Sequence, residues 1–314
     1  MGSKSVPLAS LLLILLIGCG GGASNSNSNT STTTPAGVFS STFTPDHVFL
    51  VVLENHAFSQ VIGSPAMPYL NSLAVQHVSA TNYFADTHPS IGNYFMLTVG
   101  AMETNDDAFA GIVTDNNIVR VLSSAGRTWK SYMEGIPSAG YLGGDVYPYA
   151  KHHNPFAYLS DVMDSSAQAA NIVPFTQLAS DLNSAALPNF AFIVPNLLHD
   201  AHDCPGGPTA TCPDTDKLAA ANNWLQANID PLIHNPALVN SVFIITFDES
   251  QISDTMNGGG QVALVLAGSH VKTGFQSTIM HQHQNTLHTV LDLLKVPNAP
   301  NAAASAPVMT ELFQ

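Results

Sequence analysis

The sequence predicts an α/β domain with a central, mostly parallel sheet flanked by helices, and three observations predict it. Apolar, β-branched runs recur along the chain, segments of helical character lie between them, and polar clusters follow directly on the runs. A continuous apolar run is expected of a strand buried on both faces. Strands that alternate with helices build a mostly parallel sheet. In chain order, the first strand is His47–Leu53 (HVFLVVL), followed by a helix over 69–76. Helices over 91–99 and 117–124 precede a strand over 128–133 and another over 189–194. A long helix over 217–233 leads to the strand Ser241–Phe247 (SVFIITF), then a strand over 261–267 and a last helix over 284–294.

The N-terminal residues have a different character. Lys4 supplies a positive start, and the apolar run over 11–17 falls far short of the ~20 residues that span a bilayer as a helix. It reads as the core of a secretory signal. It ends in Leu16-Ile17-Gly18-Cys19, the pattern at which bacterial lipoprotein signals are cleaved and the cysteine acylated. Residues 1–19 are therefore read as a lipoprotein signal peptide. Residues 20–38, almost all Gly, Ser, Asn and Thr, cannot bury enough surface to fold and are read as a tether. Residues 39–314 are read as one domain, because no second linker and no internal repeat interrupts them. The expectation is an exported protein held to a membrane by lipid on Cys19, on the periplasmic or cell-surface side. In that oxidising setting Cys204 and Cys212, in a Pro/Gly-rich loop, are expected to form a disulfide.

Charge narrows the partners. The 314 residues carry 8 Lys+Arg against 22 Asp+Glu, a formal charge of −14, with 13 His. Nucleic-acid binding, which needs a basic face, is not expected.

The residues after the strands carry the chemistry. Glu54-Asn55-His56 follow the first strand, Asp248-Glu249 follow SVFIITF, and Asn196 with His199-Asp200-Ala201-His202-Asp203 follow NFAFIVP. Open α/β sheets bind ligands outside the carboxyl ends of their strands, so these clusters should meet at one edge. Packed without a partner, Glu54, Asp248 and Glu249 would repel one another, whereas a divalent cation removes the conflict. Oxygen ligands suit Mg, Ca or Mn, and histidines suit Zn. Asp200, His202 and Asp203 could hold a second ion. In Thr87-His88-Pro89-Ser90, Ser90 is either the N-cap of the following helix or a nucleophile at its positively polarised end.

The ordered series Glu54-Asn55-His56-Ala57-Phe58, His88-Pro89-Ser90 with Asn93-Tyr94, WKSYMEGIP over 129–137 and His153-Asn154-Pro155-Phe156 resembles a known family. So do LPNFAFIVPNLLHDAHD over 187–203, Asn223-Trp224-Leu225 and Thr246-Phe247-Asp248-Glu249. It is the bacterial phosphoesterase family of acid phosphatases and phospholipases C, in the alkaline-phosphatase-like superfamily, and the resemblance runs from about Val48 to Pro297. The resemblance implies a metal-dependent hydrolase in which Ser90 becomes a phosphoserine. Glu54, Asn55, Asp248 and Glu249 would join Ser90 around the metal, and Asn93, His153 and His283 would lie near the phosphoryl oxygens. This chain departs from the pattern at His281-Gln282-His283, where a Tyr-x-His is expected. It also departs at His288-Thr289, where Arg-Thr is expected, and at Asn222, where an Asp is expected. The leading expectation is hydrolysis of phosphate monoesters. A phosphodiesterase acting on phospholipid head groups is the alternative within the enzyme class, and a non-catalytic binding lipoprotein on the same fold is the alternative outside it.

Overall fold

The structure, a computed structural model, describes residues 43–314. The readings made for residues 1–42, including the lipidation of Cys19, the tether and the domain start at 39, lie outside the described residues. Those described belong to one compact unit.

Ten strands are present among them: β1 His47–Leu53, β2 Val78–Ala80, β3 Tyr83–Phe84, β4 Trp129–Met133 and β5 Ile172–Pro174. They continue with β6 Phe190–Val194, β7 Ser241–Phe247, β8 Leu264–Gly268, β9 Phe275–Ser277 and β10 His281–Gln282. Eight form one sheet in the order β5-β4-β6-β1-β7-β8-β2-β9, and β10 pairs with β3 apart from it. The core of the sheet is parallel, with β8 running against both its neighbours, β7 and β2. β1 sits between β6 and β7, which explains its unbroken apolar sequence: from Val48 to Leu53 every residue is buried, with sheet on both edges and helices over the faces. The helix Ser90–Thr98 packs on His283–Leu293, and Pro68–Gln76 packs on Asp214–Asn228. The predicted fold class is the one observed.

Two boundaries differ. The helix expected over 217–233 is two, Asp214–Asn228 and Asp230–Ile233, separated at Ile229. Pro231 causes the break, since it has no amide hydrogen to continue the ladder and its ring crowds the preceding turn. The strand expected from 261 begins at Leu264, because Gln261 bridges instead to Phe84. Cys204 and Cys212 are joined, Cα to Cα 5.7 Å apart.

Candidate active site

Three neighbouring strands deliver the polar clusters to one edge. β6, β1 and β7 run parallel, with Val51 beside Ile193 and Leu53 beside Phe247, so Glu54 and Asp248 emerge side by side. Backbone bonds fasten the three exits together. Asp248 N donates to the Leu53 carbonyl at 2.9 Å, and Glu54 N donates to the Asp200 carbonyl at 2.8 Å. Asp248 Oδ1 accepts from the amides of Asn55 (3.1 Å) and Glu249 (2.6 Å). Asn55 and Ala201 have φ of 22° and 81°, a region that L residues seldom occupy and that tends to persist at functional sites.

Ser90 completes the edge. Pro89 is the N-cap of the helix and Ser90 is its first residue, so the serine side chain does not cap. Its Oγ instead donates to Glu54 Oε2 at 3.2 Å, and Tyr94, one turn on, donates to Glu54 Oε1 at 3.4 Å. The cap reading of Ser90 is thereby replaced: Asp107 Oδ1 satisfies the first turn, accepting from Ile91 N at 3.1 Å. Asn93 is fully buried beneath the loop. Its Oδ1 accepts from the Asp86 and Thr87 amides and its Nδ2 donates to the Thr87 carbonyl, so it shapes the turn into Ser90. The loop after Glu249 backs the same turn, with Gly259 N donating to Ala85 and Ala85 N to Gly260.

His153 links the strand ends. Its Nε2 lies 2.8 Å from Glu54 Oε1, its Nδ1 3.5 Å from Asp200 Oδ2, and its ring stacks on Tyr94. Burial opposes charge on both partners, but their mutual attraction outweighs it, holding Glu54 low and His153 high. Asp248 has no such partner. Burial pushes it well above the usual carboxylate range, and Glu54 and Glu249 push it further. Burial, with Glu54 and Asp107 behind it, lifts Glu249 up to about 9. His88 bridges that residue outward, with Nδ1 2.8 Å from Glu249 Oε2 and Nε2 donating to the Asp254 carbonyl at 2.9 Å.

The second cluster divides. Asp200 turns inward to His153, and burial raises its carboxyl to about 6. His202 pairs with Asp203 at 2.8 Å, and His199 pairs with Glu134 at 3.0 Å, both partly exposed. Each of these carboxylates already faces a histidine, so the structure does not gather the group as one set of ligands. His283 is fully buried, donating Nε2–H to the Asp248 carbonyl and accepting from the Tyr83 hydroxyl at Nδ1. Burial holds it down to about 4. Both its nitrogens are committed, and it braces the Asp248 backbone. The departures from the family pattern also acquire places. His281 pairs with Glu311 at 2.7 Å, and His288 Nδ1 donates to the Ala306 carbonyl. Asn222 Oδ1 accepts from the amides of Tyr69 and Leu70 at the start of the Pro68–Gln76 helix, which makes it a helix contact and not a metal detail.

Among the described residues, no three His, Cys, Asp or Glu side chains converge as a finished metal cage. The strand-end set nevertheless fits a hard divalent cation. Glu54 and Asp248 are fully buried and Glu249 nearly so. Their carboxyls are crowded at a site with no lysine or arginine bonded to them, and Asp248 Oδ2 is buried without any hydrogen-bond donor. Carboxylate, amide and hydroxyl oxygens are the ligands such ions take, and a cation relieves the repulsion that raises Asp248 and Glu249. Sequence reasoning missed His88, Tyr94 and Asp107. All three are ordinary residue types whose partners lie far along the chain, though His88 and Tyr94 stand within motifs already singled out.

The profile of the Phosphoesterase family matches residues 64–297. A phosphatidylinositol-3-phosphatase of Mycobacterium tuberculosis is 29% identical over 85% of this chain and 82% of its own length. A phosphate-repressible acid phosphatase of Penicillium chrysogenum is 30% identical over 67% of this chain, and a probable acid phosphatase of Kluyveromyces lactis is 28% identical over 77%. The match spans about half the length of these two fungal relatives. Among solved structures, an alkaline phosphatase superfamily protein of Vibrio parahaemolyticus superposes over 83% of this chain and 70% of its own, with a TM-score of 0.61 at 12% identity. A lipoteichoic acid synthase of Listeria monocytogenes does so over 83% and 76%, with a TM-score of 0.60 at 10% identity. At these identities the likeness is one of fold.

Proposed function

The chain belongs to the phosphoesterase family, and from that membership we propose a phosphomonoesterase that works through Ser90 and a divalent cation. It is a phosphoric ester hydrolase by kinship with the phosphatases that resemble it. One observation carries the finer reading: a buried serine at the first turn of a helix donates to a buried carboxylate, Ser90 Oγ to Glu54 Oε2 at 3.2 Å.

Glu54, Asn55, Ser90, Asp248 and Glu249 would hold the cation. When bound, it supplies positive charge to the phosphoryl oxygens and makes the serine a better nucleophile. The protein's own groups do the rest. Ser90 Oγ bonds to phosphorus as the ester P–O bond breaks, and the serine proton leaves toward Glu54. The departing alkoxide takes its proton from water at the open edge. The hydroxide left by that water attacks the phosphoserine, inorganic phosphate leaves, and the proton held on Glu54 returns to the serine oxygen to restore the hydroxyl. His153, protonated between Glu54 and Asp200, keeps Glu54 ionised for the first step. His88 fixes Glu249, and His283 fixes the Asp248 backbone. The mycobacterial relative's name favours a phosphorylated polyol head group as substrate. Membrane attachment through Cys19 on the exported side is part of the same proposal and rests on the lipoprotein signal pattern.

The test assays p-nitrophenyl phosphate and bis-p-nitrophenyl phosphate with the wild type and Ser90→Ala, each with and without chelator. Chelator-sensitive monoester turnover that falls at least about a thousandfold in Ser90→Ala supports the mechanism. Acid quenching should trap phosphate on Ser90. Full activity in the variant overturns the serine assignment, and preference for the bis-ester overturns the monoester one.

A further inference from the structure

A cavity of about 420 Å³ opens beside the strand-end residues, with Asn55 and Glu249 in one wall and His56, Asp214, Lys217 and Gln251 around the rest. Two of these side chains have bonding capacity to spare. His56 is only 2% exposed, and its Nδ1 lies 3.1 Å from the Glu54 carbonyl. A carbonyl can only accept, so Nδ1 carries the ring proton and Nε2 is left as an acceptor. Nε2 is buried and has no hydrogen-bond partner, an arrangement that is destabilising unless a ligand or water fills it. Lys217 is the other. Its nearest carboxylate, Asp214, is 3.8 Å away, beyond hydrogen-bonding distance. Asp214 Oδ2 accepts instead from Gln251 Nε2 at 3.3 Å and Gln60 Nε2 at 3.5 Å. The Lys217 ammonium therefore keeps donors for a ligand. In a chain with 8 Lys+Arg against 22 Asp+Glu, a cation in the cavity beside Glu249 is a selective feature.

We propose that this cavity is the leaving-group subsite and that it selects phosphate monoesters of polyols carrying a second anionic group. Lys217 takes the second anion, and His56 Nε2 accepts a hydroxyl hydrogen. The inference rests on the phosphomonoesterase reading and deepens it by naming the alcohol. A plain aryl or alkyl ester offers His56 Nε2 no hydroxyl and Lys217 no second anion, and sites built to hydrogen-bond a substrate reject analogues that lack the partner.

The experiment compares fructose 1,6-bisphosphate with p-nitrophenyl phosphate on the full-length wild type, Lys217→Gln and Lys217→Arg. The ratio of their kcat/KM values should fall about tenfold in Lys217→Gln, mainly through KM of the bisphosphate, and recover in part in Lys217→Arg. An unchanged ratio overturns the proposal. A second arm titrates fructose 1,6-bisphosphate calorimetrically into Ser90→Ala with and without Lys217→Gln. Binding at least about tenfold weaker in the double variant supports the subsite, and equal binding sinks it. A wild type that turns over neither ester would defeat the phosphomonoesterase reading, while the calorimetric arm would still decide the subsite.

Discussion

At the scale of single residues, the site is a place where stability has yielded to chemistry. Asp248 is buried beside Glu54 and Glu249, with one oxygen that receives no donor. Replacing it with asparagine preserves the acceptor for the Asn55 and Glu249 amides and turns an N–H toward the Glu54 carboxylate. Asp248→Asn is therefore expected to raise the metal-free Tm, by an amount worth about 1–3 kcal/mol, while hydrolysis falls by orders of magnitude. Thermal melts in chelator beside an ester assay check both halves. Gly258 is the opposite case. It has φ of 110°, and a Cβ there would lie 1.9 Å from the Asp86 carbonyl oxygen. Gly258→Ala should cost about 3 kcal/mol or more, read as a lowered denaturant midpoint. It should also reduce turnover, because the loop it belongs to backs the turn into Ser90.

At the scale of elements, the long strands were legible because burial on both faces leaves continuous apolar runs, as in HVFLVVL and SVFIITF. The clusters behind them were legible because parallel neighbours end at a common edge. The short strands β2, β3, β5, β9 and β10 were not, since two or three residues carry no period. Nor was the partnership of His153 with Asp200, or of His88 with Glu249, because contacts across such sequence distances leave no local pattern. Ser90 shows the limit of local rules: it is a preferred cap type next to a helix, yet its hydroxyl goes to Glu54. Elsewhere one contact joins β4 to the helix Gln177–Asn183. Asp181 accepts from Lys130 Nζ at 2.6 Å, Tyr132 OH at 2.7 Å and Gln177 Nε2 at 3.0 Å. Burial opposes its charge, but the bonds from Lys130, Tyr132 and Gln177 prevail and lower its pKa. A folded-state pKa below the unfolded one gives stability that is present above about pH 4 and lost as pH falls through the folded value. Asp181→Asn should therefore lower Tm at pH 7, and the difference from wild type should shrink as pH falls below about 4.

At the scale of the whole molecule, a charge of −14 with 8 Lys+Arg leaves a phosphate enzyme short of its own positive groups. A cation that binds the folded state alone stabilises it by mass action, about 2.7 kcal/mol at a hundred times its Kd. Adding Mg²⁺ or Mn²⁺ to chelator-treated protein should raise Tm, and much less so in Glu54→Gln. A Tm indifferent to these metals in the wild type would count against the cation site.

The order of the sheet has a consequence for how the molecule is made. β1 is the first described strand to leave the ribosome, yet its two neighbours are β6 and β7, which end at Val194 and Phe247. Pairings so distant in sequence close late, after the entropy of long loops has been overcome. A chain stopped before Ser241 would hold Glu54 and Ser90 but neither β7 nor the Asp248-Glu249 wall that follows it. Synthesis therefore yields no half-built site: the edge that gathers these residues exists only once β7 has slid in beside β1.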